Sequence, residues 1–550
     1  MIIINSFEKK RCITTTLLIA VAFFSSSVSH AQLAQNLFIG NPKAAALGNA
    51  VTADPPGIDS IHFNPAGLAR LKGRRYELKF TVADVDAKGE FTESTNPEVV
   101  ALKEGFHLDD PIANTESEVE SYAVFLPGKG IVEVPFAAAP LGGISFSPPG
   151  SNMTFATGVY STLTLGATRA DDDPGRFAGR QMGLTRLTYF SPSVALQVND
   201  SLAVGFSLGF SYFGLGLDLP FRTPNIAIGA ISQIQAVGCG FDDNGTDPFL
   251  TLIRDVIDLC GDALSPFEEL FTLEVSVDDP LTLSYNVGVL WDATPWLTFG
   301  LVYQSASLHE LEGRVGVRMS PTLNNVLAGV YDSSESNANL LETLGIGRNA
   351  DGTFDIEKAG SIDIEMPQHL SVGLSVDLTP NIKVNFDVKW TESSVWESWL
   401  FVLEEDIAVL KLLELAQING VTGSSIDIPR GFEDTINWGV GVEYRYSDNL
   451  ALRLGYEPRK SGIPDDKIDF SIPLGDMDLY GMGFSWQTDK DSTLDFSVMY
   501  GKVSEFTPTG SSTNGNNYKG DNIIFNPFAG LDVSTEIGFF VVEVGYNTIY

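Results

Sequence analysis

The sequence predicts an all-β fold: a 14-stranded antiparallel transmembrane β-barrel with an amino-terminal plug (hatch) segment in its lumen and short helices in its extracellular loops. Three observations carry this expectation. Segments of about ten residues, the length of a tilted strand crossing a bilayer, alternate apolar with small or polar residues at a period of two. A cleavable leader precedes them. Short turns then alternate with long polar segments along the rest of the chain.

The alternation is clearest late in the chain. Trp438, Val440, Val442, Tyr444 and Tyr446 share one face, while Asn437, Gly439, Gly441, Glu443 and Arg445 take the other. Leu450, Leu452, Leu454 and Tyr456 repeat the pattern, as do Ile382, Val384, Phe386, Val388 and Trp390. Successive side chains of a strand point to opposite faces, so each segment has one apolar and one wet side. A soluble β-protein is the alternative, but it rarely sustains this over so many strands of membrane-spanning length.

The leader fixes the compartment. Lys9, Lys10 and Arg11 precede an apolar run from about Ile13 to Phe24, and Ser29-His30-Ala31 fits a signal-peptidase site. Residues 1–31 are therefore read as a signal peptide, 32–72 as the plug and 73–550 as the barrel. A secreted chain whose strands cross a bilayer belongs in the outer membrane of a Gram-negative bacterium, because closed barrels and helices alone satisfy backbone groups in lipid.

Formal charge is −36. Such acidity excludes nucleic acid as a partner. Acidic loops outside a barrel are a solvated exterior or a meeting point for divalent cations among lipopolysaccharide. The run Asp242-Asp243-Asn244-Gly245 lacks EF-hand spacing, so no metal site is expected. Cys12 leaves with the leader, and Cys239 and Cys260 remain as an even pair in an oxidising compartment, which reads as a disulfide.

Six tight turns fall at residues 148–152, 199–200, 292–295, 379–381, 447–449 and 489–491. Long polar loops fall near 84–138, 164–186, 214–280, 308–366, 394–434, 459–475 and 503–534. Those six turns and seven loops join 14 strands, an even number, with both chain ends on the periplasmic side. Two loops carry helical patterns. One follows Asp247 and Pro248 through Phe249, Leu252, Ile253, Val256, Ile257 and Cys260; the other runs from about Leu400 to Gln417. Each is either a packing stripe against the barrel rim or an apolar groove that collects a hydrophobic ligand.

Residues 32–72 fit neither strand nor loop. The stretch from Asn41 to Ala53, followed by Ile61 to Ala69, is rich in Ala, Gly and Pro and precedes a first strand at Arg74 to Val82. Such a segment is either a disordered tail or a compact lumen plug. Here the chain resembles the FadL-type outer-membrane transporters of long-chain fatty acids and aromatic hydrocarbons. Their plug carries an Asn-Pro-Ala motif, matched by Asn64-Pro65-Ala66, after a stretch like Ala46-Leu47-Gly48-Asn49-Ala50. The late strands from Asn437 to Tyr444 and from Leu452 to Tyr456, then Pro464 and Ile472-Pro473, are similar too. This chain departs in its longer loops and in its terminal segment, where Thr548 and Tyr550 differ from the usual assembly signal.

The resemblance implies passive uptake of hydrophobic compounds. The substrate would be captured at the loops, pass to a pocket in the barrel, and leave sideways through a gap at an inward kink in the third strand. That strand would run from about Met153 to Leu165, with Gly158 the expected kink or bulge; accommodating the plug is the equal alternative for this glycine. Expected partners are a fatty acid or hydrocarbon, outer-membrane lipids and lipopolysaccharide, and the barrel assembly machinery, with the protein a monomer and no cofactor. The rival functions are a diffusion porin for polar solutes and an outer-membrane lipase. Gly205-Phe206-Ser207-Leu208-Gly209 matches a nucleophile elbow in letters but lies mid-strand, where the required strand-to-helix turn is missing. His62, His107, His309 and His369 show no metal-ligand spacing. Lumen charges such as Glu443, Arg445, Arg453, Asp387 and Lys389 read as a paired polar interior, so no catalytic residue is expected.

Overall fold

A computed structural model describes residues 39–550 apart from 98, 101–108, 136, 225–228, 230–231, 237–238, 240–258, 407–409, 412–413, 415–419, 472–473 and 519–525. The leader, nearly all of the helix expected from Asp247 to Cys260 and part of the one expected from Leu400 to Gln417 lie outside the described residues, as do His107, the Asp242 run and Ile472-Pro473.

Fourteen crossings close on themselves. They are β1 (Gly73–Glu93), β2 (Thr115–Glu118, then Ala137–Ser147), β3 (Met153–Thr168), β4 (Gln181–Phe190, Ser193–Asn199), β5 (Leu202–Phe221), β6 (Phe271–Thr294) and β7 (Leu297–Gln304, Ser307–Met319). There follow β8 (Ile356–Met366, His369–Thr379), β9 (Ile382–Thr391), β10 (Thr435–Ser447), β11 (Leu450–Arg459), β12 (Met477–Gln487), β13 (Ser492–Thr507) and β14 (Leu531–Ile549). Each pairs antiparallel with its sequence neighbour, and β14 closes on β1 from Arg75–Ile549 to Glu93–Leu531.

The outward faces meet lipid. Leu78, Phe80, Trp291, Leu454 and Met482 are exposed, and Tyr76, Tyr546 and Tyr550 cluster at the periplasmic rim. Apolar bands bounded by aromatic girdles mark a transmembrane barrel.

All six turns sit where the sequence places them. The strands, however, run further outward than the alternation suggests. β1 continues past Val82 to Glu93, because its outward positions Asp84, Asp86, Lys88 and Glu90 stand above the lipid and carry charge. The apolar signal stops at the membrane while the hydrogen-bonded ladder does not. Leu400 and Leu403 are likewise not helical: Ser398–Leu403 is a strand paired with Ser425–Pro429. Phe401 and Leu403 are buried while Leu400 and Val402 are exposed, a period of two. Two helices that the sequence reading missed fill the loop after β7: α1 (Pro321–Ser333) and α2 (Glu335–Thr343). Ser320 caps the first through Leu323 N, with Pro321 at its first position. Val326 and Val330 supply its buried face.

Candidate functional site

The segment Ile39–Lys72 lies inside the barrel, and nearly all of it is buried. Its backbone approaches the wall wherever an inward-facing glycine leaves room. A Cβ on Gly481 would sit 1.9 Å from Ala45 O, and one on Gly455 2.0 Å from Gly48 N. Gly48 itself has φ +59, and a Cβ there would strike the Tyr456 backbone at 2.6 Å. Asn49 Nδ2 donates to Glu457 Oε2 at 2.9 Å.

The Asn-Pro-Ala triplet joins segment to wall. Asn64 caps the turn that follows by accepting from Ala66 N at 3.1 Å. Its Nδ2 donates to Thr52 O at 2.8 Å and faces the strand carbonyls of Val289 at 3.2 Å and Leu301 at 3.4 Å. Pro65 and Ala66 pack on Gly205, where a Cβ would lie 2.2 Å from Pro65 C. Asp54 forms a further tie, 2.8 Å from Lys43 Nζ and 3.5 Å from Lys383 Nζ. Burial pushes its carboxyl up, but the two lysines outweigh burial and hold it well below the usual carboxylate range.

On the extracellular side of this segment a cavity opens, with His62, Tyr160, Thr162, Leu163, Arg186 and His369 in its lining. The segment and three different strands supply those six side chains, so barrel closure alone brings them together. Burial, then the nearby His369 and Arg186, holds His62 at about 3, so its ring is neutral at physiological pH. Arg186 is buried and donates to His309 Nε2 at 3.2 Å, Thr162 Oγ1 at 2.9 Å and Ser307 Oγ at 3.0 Å. Among the described residues no carboxylate pairs with it. The sequence reading missed this arginine; its signal is a lone cation in the inward series Leu184, Arg186, Thr188.

The wall beside this cavity is discontinuous. β2 and β3 pair from Phe146–Phe155 to Gly142–Val159 and then separate, so the stretch of β3 that carries Tyr160, Thr162 and Leu163 has no β2 partner among the described residues. Gly158 sits one residue before the parting. There β4 also breaks, between Phe190 and Ser193, and Ser191 Oγ bonds the Gly158 backbone at 3.0 and 2.7 Å. A Cβ on Gly158 would lie 3.3 Å from Gly142 O and 3.5 Å from Ile61 Cδ1, whereas one on Gly143 would meet Ile58 Cγ2 at 2.7 Å. The tighter approach to the lumen segment is thus at Gly143.

Between the two parts of β2 the chain pairs with the outer end of β3 at Ser121–Thr168 and Tyr122–Ala167 and then leaves the wall. Ser121–Leu126 and Gly130–Val134 form a hairpin on the outside of the barrel. Phe125 N donates to the outward Thr185 Oγ1 at 3.2 Å, and the Phe125 ring covers Gly214, where a Cβ would lie 2.2 Å from it.

The remaining residues singled out in the sequence are placed as follows. Cys239 and Cys260 are bonded, their Cα atoms 5.4 Å apart. Glu443 pairs with Arg453 at 2.9 Å, and Lys389 with Glu457 at 2.9 Å. Asp387 Oδ2 accepts from Thr52 N at 2.8 Å. Arg445 is largely solvent-exposed. Ser207 is buried in the middle of β5, with no turn near it.

Below the segment lies a periplasmic cavity of about 400 Å³, lined by Lys43, Arg75, Glu77, Arg453 and Asp495 among other polar groups.

Comparison with known proteins agrees with this architecture. A Pseudomonas aeruginosa FadL homologue superposes with a TM-score of 0.63 at 14% identity, covering 95% of this chain and 99% of that one. The Ralstonia pickettii toluene transporter TbuX gives 0.55 at 16% identity, covering 94% and 99%. At such identities the likeness is one of fold. A long-chain fatty acid transport protein of Escherichia coli O6:H1 is 21% identical over 319 residues, 56% of this chain. The match spans 60% of that relative's length. Residues 20–526 match the family described as outer membrane protein transport protein (OMPP1/FadL/TodX). The chain therefore belongs to the OMPP1/FadL/TodX family of outer-membrane transport proteins.

Proposed function

We propose that this transporter takes up long-chain fatty acids, holds their carboxylate at Arg186, and releases them sideways into the membrane between β2 and β3. The observation that carries the reading is Arg186 itself: a buried guanidinium on the lumen cavity with no carboxylate partner among the described residues. A hydrocarbon needs only apolar lining, whereas a carboxylate is recognised by such a fork of N–H donors. Tyr160, Thr162 and Leu163 belong both to the cavity lining and to the unpaired stretch of β3, which favours a lateral route. An alkyl chain gains about 0.8 kcal/mol per methylene on leaving water, and the charged periplasmic cavity offers no such gain. In this reading residues 39–72 act as a plug that blocks the direct route, and the extracellular loops make the first capture.

The test is uptake of oleate and of toluene by cells carrying Arg186→Gln. Losing a charged hydrogen bond of about 1.5 to 3 kcal/mol should lower oleate uptake by about tenfold or more and leave toluene uptake unchanged. Equal loss of both, or of neither, overturns the assignment of a carboxylate to Arg186.

A further inference from the structure

We propose that the lumen holds a second station for a carboxylate, at Arg459, from which the head group is handed on to Arg186. This rests on the reading that the cargo is a carboxylate.

Arg459 closes the extracellular end of β11, and its side chain is 2% exposed. Nη2 donates to Glu457 Oε2 at 3.0 Å. Nε and Nη1 have no partner among the described residues. On the neighbouring β10, Asn437 is equally buried. Its Oδ1 accepts from Lys460 N at 2.9 Å, which sets it beside the end of β11, but its Nδ2 has no partner among the described residues. Thr435 Oγ1, two residues along the same inward face, likewise has no partner among the described residues.

Glu457 does not serve these donors, because its Oε1 accepts from Lys389 at 2.9 Å while its Oε2 accepts from both Asn49 and Arg459. Two cations thus share one carboxylate. Asp387, the next inward acid on β9, turns to the plug and accepts from Thr52 N. Each orphaned buried donor costs about 1 to 3 kcal/mol, and native structures cover such groups with water or ligand. An arginine fork flanked by an amide N–H and a hydroxyl has the chemistry of a carboxylate receptor.

The station adjoins the Arg186 cavity. Thr391, part of that cavity's lining, is the cross-strand partner of Thr435. A head group therefore has two arginine stops on the extracellular side of the plug, one on β11 and one on β4 beside the open wall.

Native mass spectrometry of the full-length protein with oleate tests this. The parent should hold two oleates, and Arg459→Gln and Arg186→Gln one each; Asn437→Leu should weaken the Arg459 station by about tenfold. A parent that binds a single oleate, lost in Arg186→Gln and kept in Arg459→Gln, refutes the second station and leaves the proposed function standing. Binding that neither arginine variant lowers refutes both. Should Arg459→Gln fail to assemble, a crystal structure of the parent with a brominated fatty acid decides. A carboxylate at Arg459 Nε supports the station, and water alone there overturns it.

Discussion

Gly288 keeps open the space that Asn64 occupies: a Cβ on Gly288 would lie 2.0 Å from Asn64 Oδ1. The plug motif and the sixth strand are therefore matched at one point, an amide on the plug and a missing side chain on the wall. Replacing Asn64 by Ala leaves the carbonyls of Thr52, Val289 and Leu301 without this donor, while the strand ladder is untouched. A buried polar group left unpaired costs about 1 to 3 kcal/mol, a shift of about 5- to 150-fold in the plug's equilibrium. Asn64→Ala should assemble as a heat-modifiable barrel yet leak small sugars in liposome swelling, and Gly288→Val should do the same. Leak rates equal to the parent in both would mean that the motif does not anchor the plug.

The close approach at Gly481 makes a second, sterically independent prediction. Its hypothetical Cβ meets the Ala45 carbonyl, which is backbone and has no rotamer to yield. Gly481→Val should unseat the plug's first turn while keeping its strand pairs with Gly455 and Met499. Trypsin should then cut at Lys43 in the folded variant and not in the parent. Protection of Lys43 in both proteins would contradict the seating described here.

His62 gives the plug a pH dependence of defined sign. Its ring is held at about 3 when seated, against 6.5 when hydrated, first by burial and then by His369 and Arg186. Between those values the displaced plug binds one more proton than the seated plug, so seating strengthens as pH rises and weakens as pH falls. Solute leak should therefore increase as pH drops from about 6.5 towards 3, and His62→Gln should flatten that slope. A slope unchanged by the substitution would remove His62 as its source.

The sequence made the barrel legible where lipid touches it, because lipid allows one kind of residue on the outward face. Trp438, Val440 and Val442 show this on β10. Beyond the membrane that constraint ends: Asp84 and Lys88 read as loop although β1 carries them in a regular ladder. Asn64-Pro65-Ala66 and its flanking small residues set the segment inside the barrel apart from strand and loop already in the sequence. The site was not, because Arg186, His62 and His369 lie far apart in the chain and meet only through ring closure. The β2 hairpin was illegible for another reason. Residues 121–134 fall within the segment 84–138 that reads as polar loop, and nothing local says that they form a hairpin against the outside of the wall.

In the proposed route cargo leaves through the side of the barrel and not through its floor. A single cysteine tests it directly, since Cys239 and Cys260 are already bonded to each other. Ala139 faces the lumen on the edge of β2 where its pairing with β3 has ended; Gln487 lines the periplasmic cavity. Oleate uptake should be measured in Ala139→Cys and in Gln487→Cys before and after modification with a bulky maleimide. Blocking position 139 should lower uptake by about tenfold or more, while blocking position 487 should change it by less than about twofold. Loss of uptake on blocking position 487, with position 139 indifferent, would contradict the route.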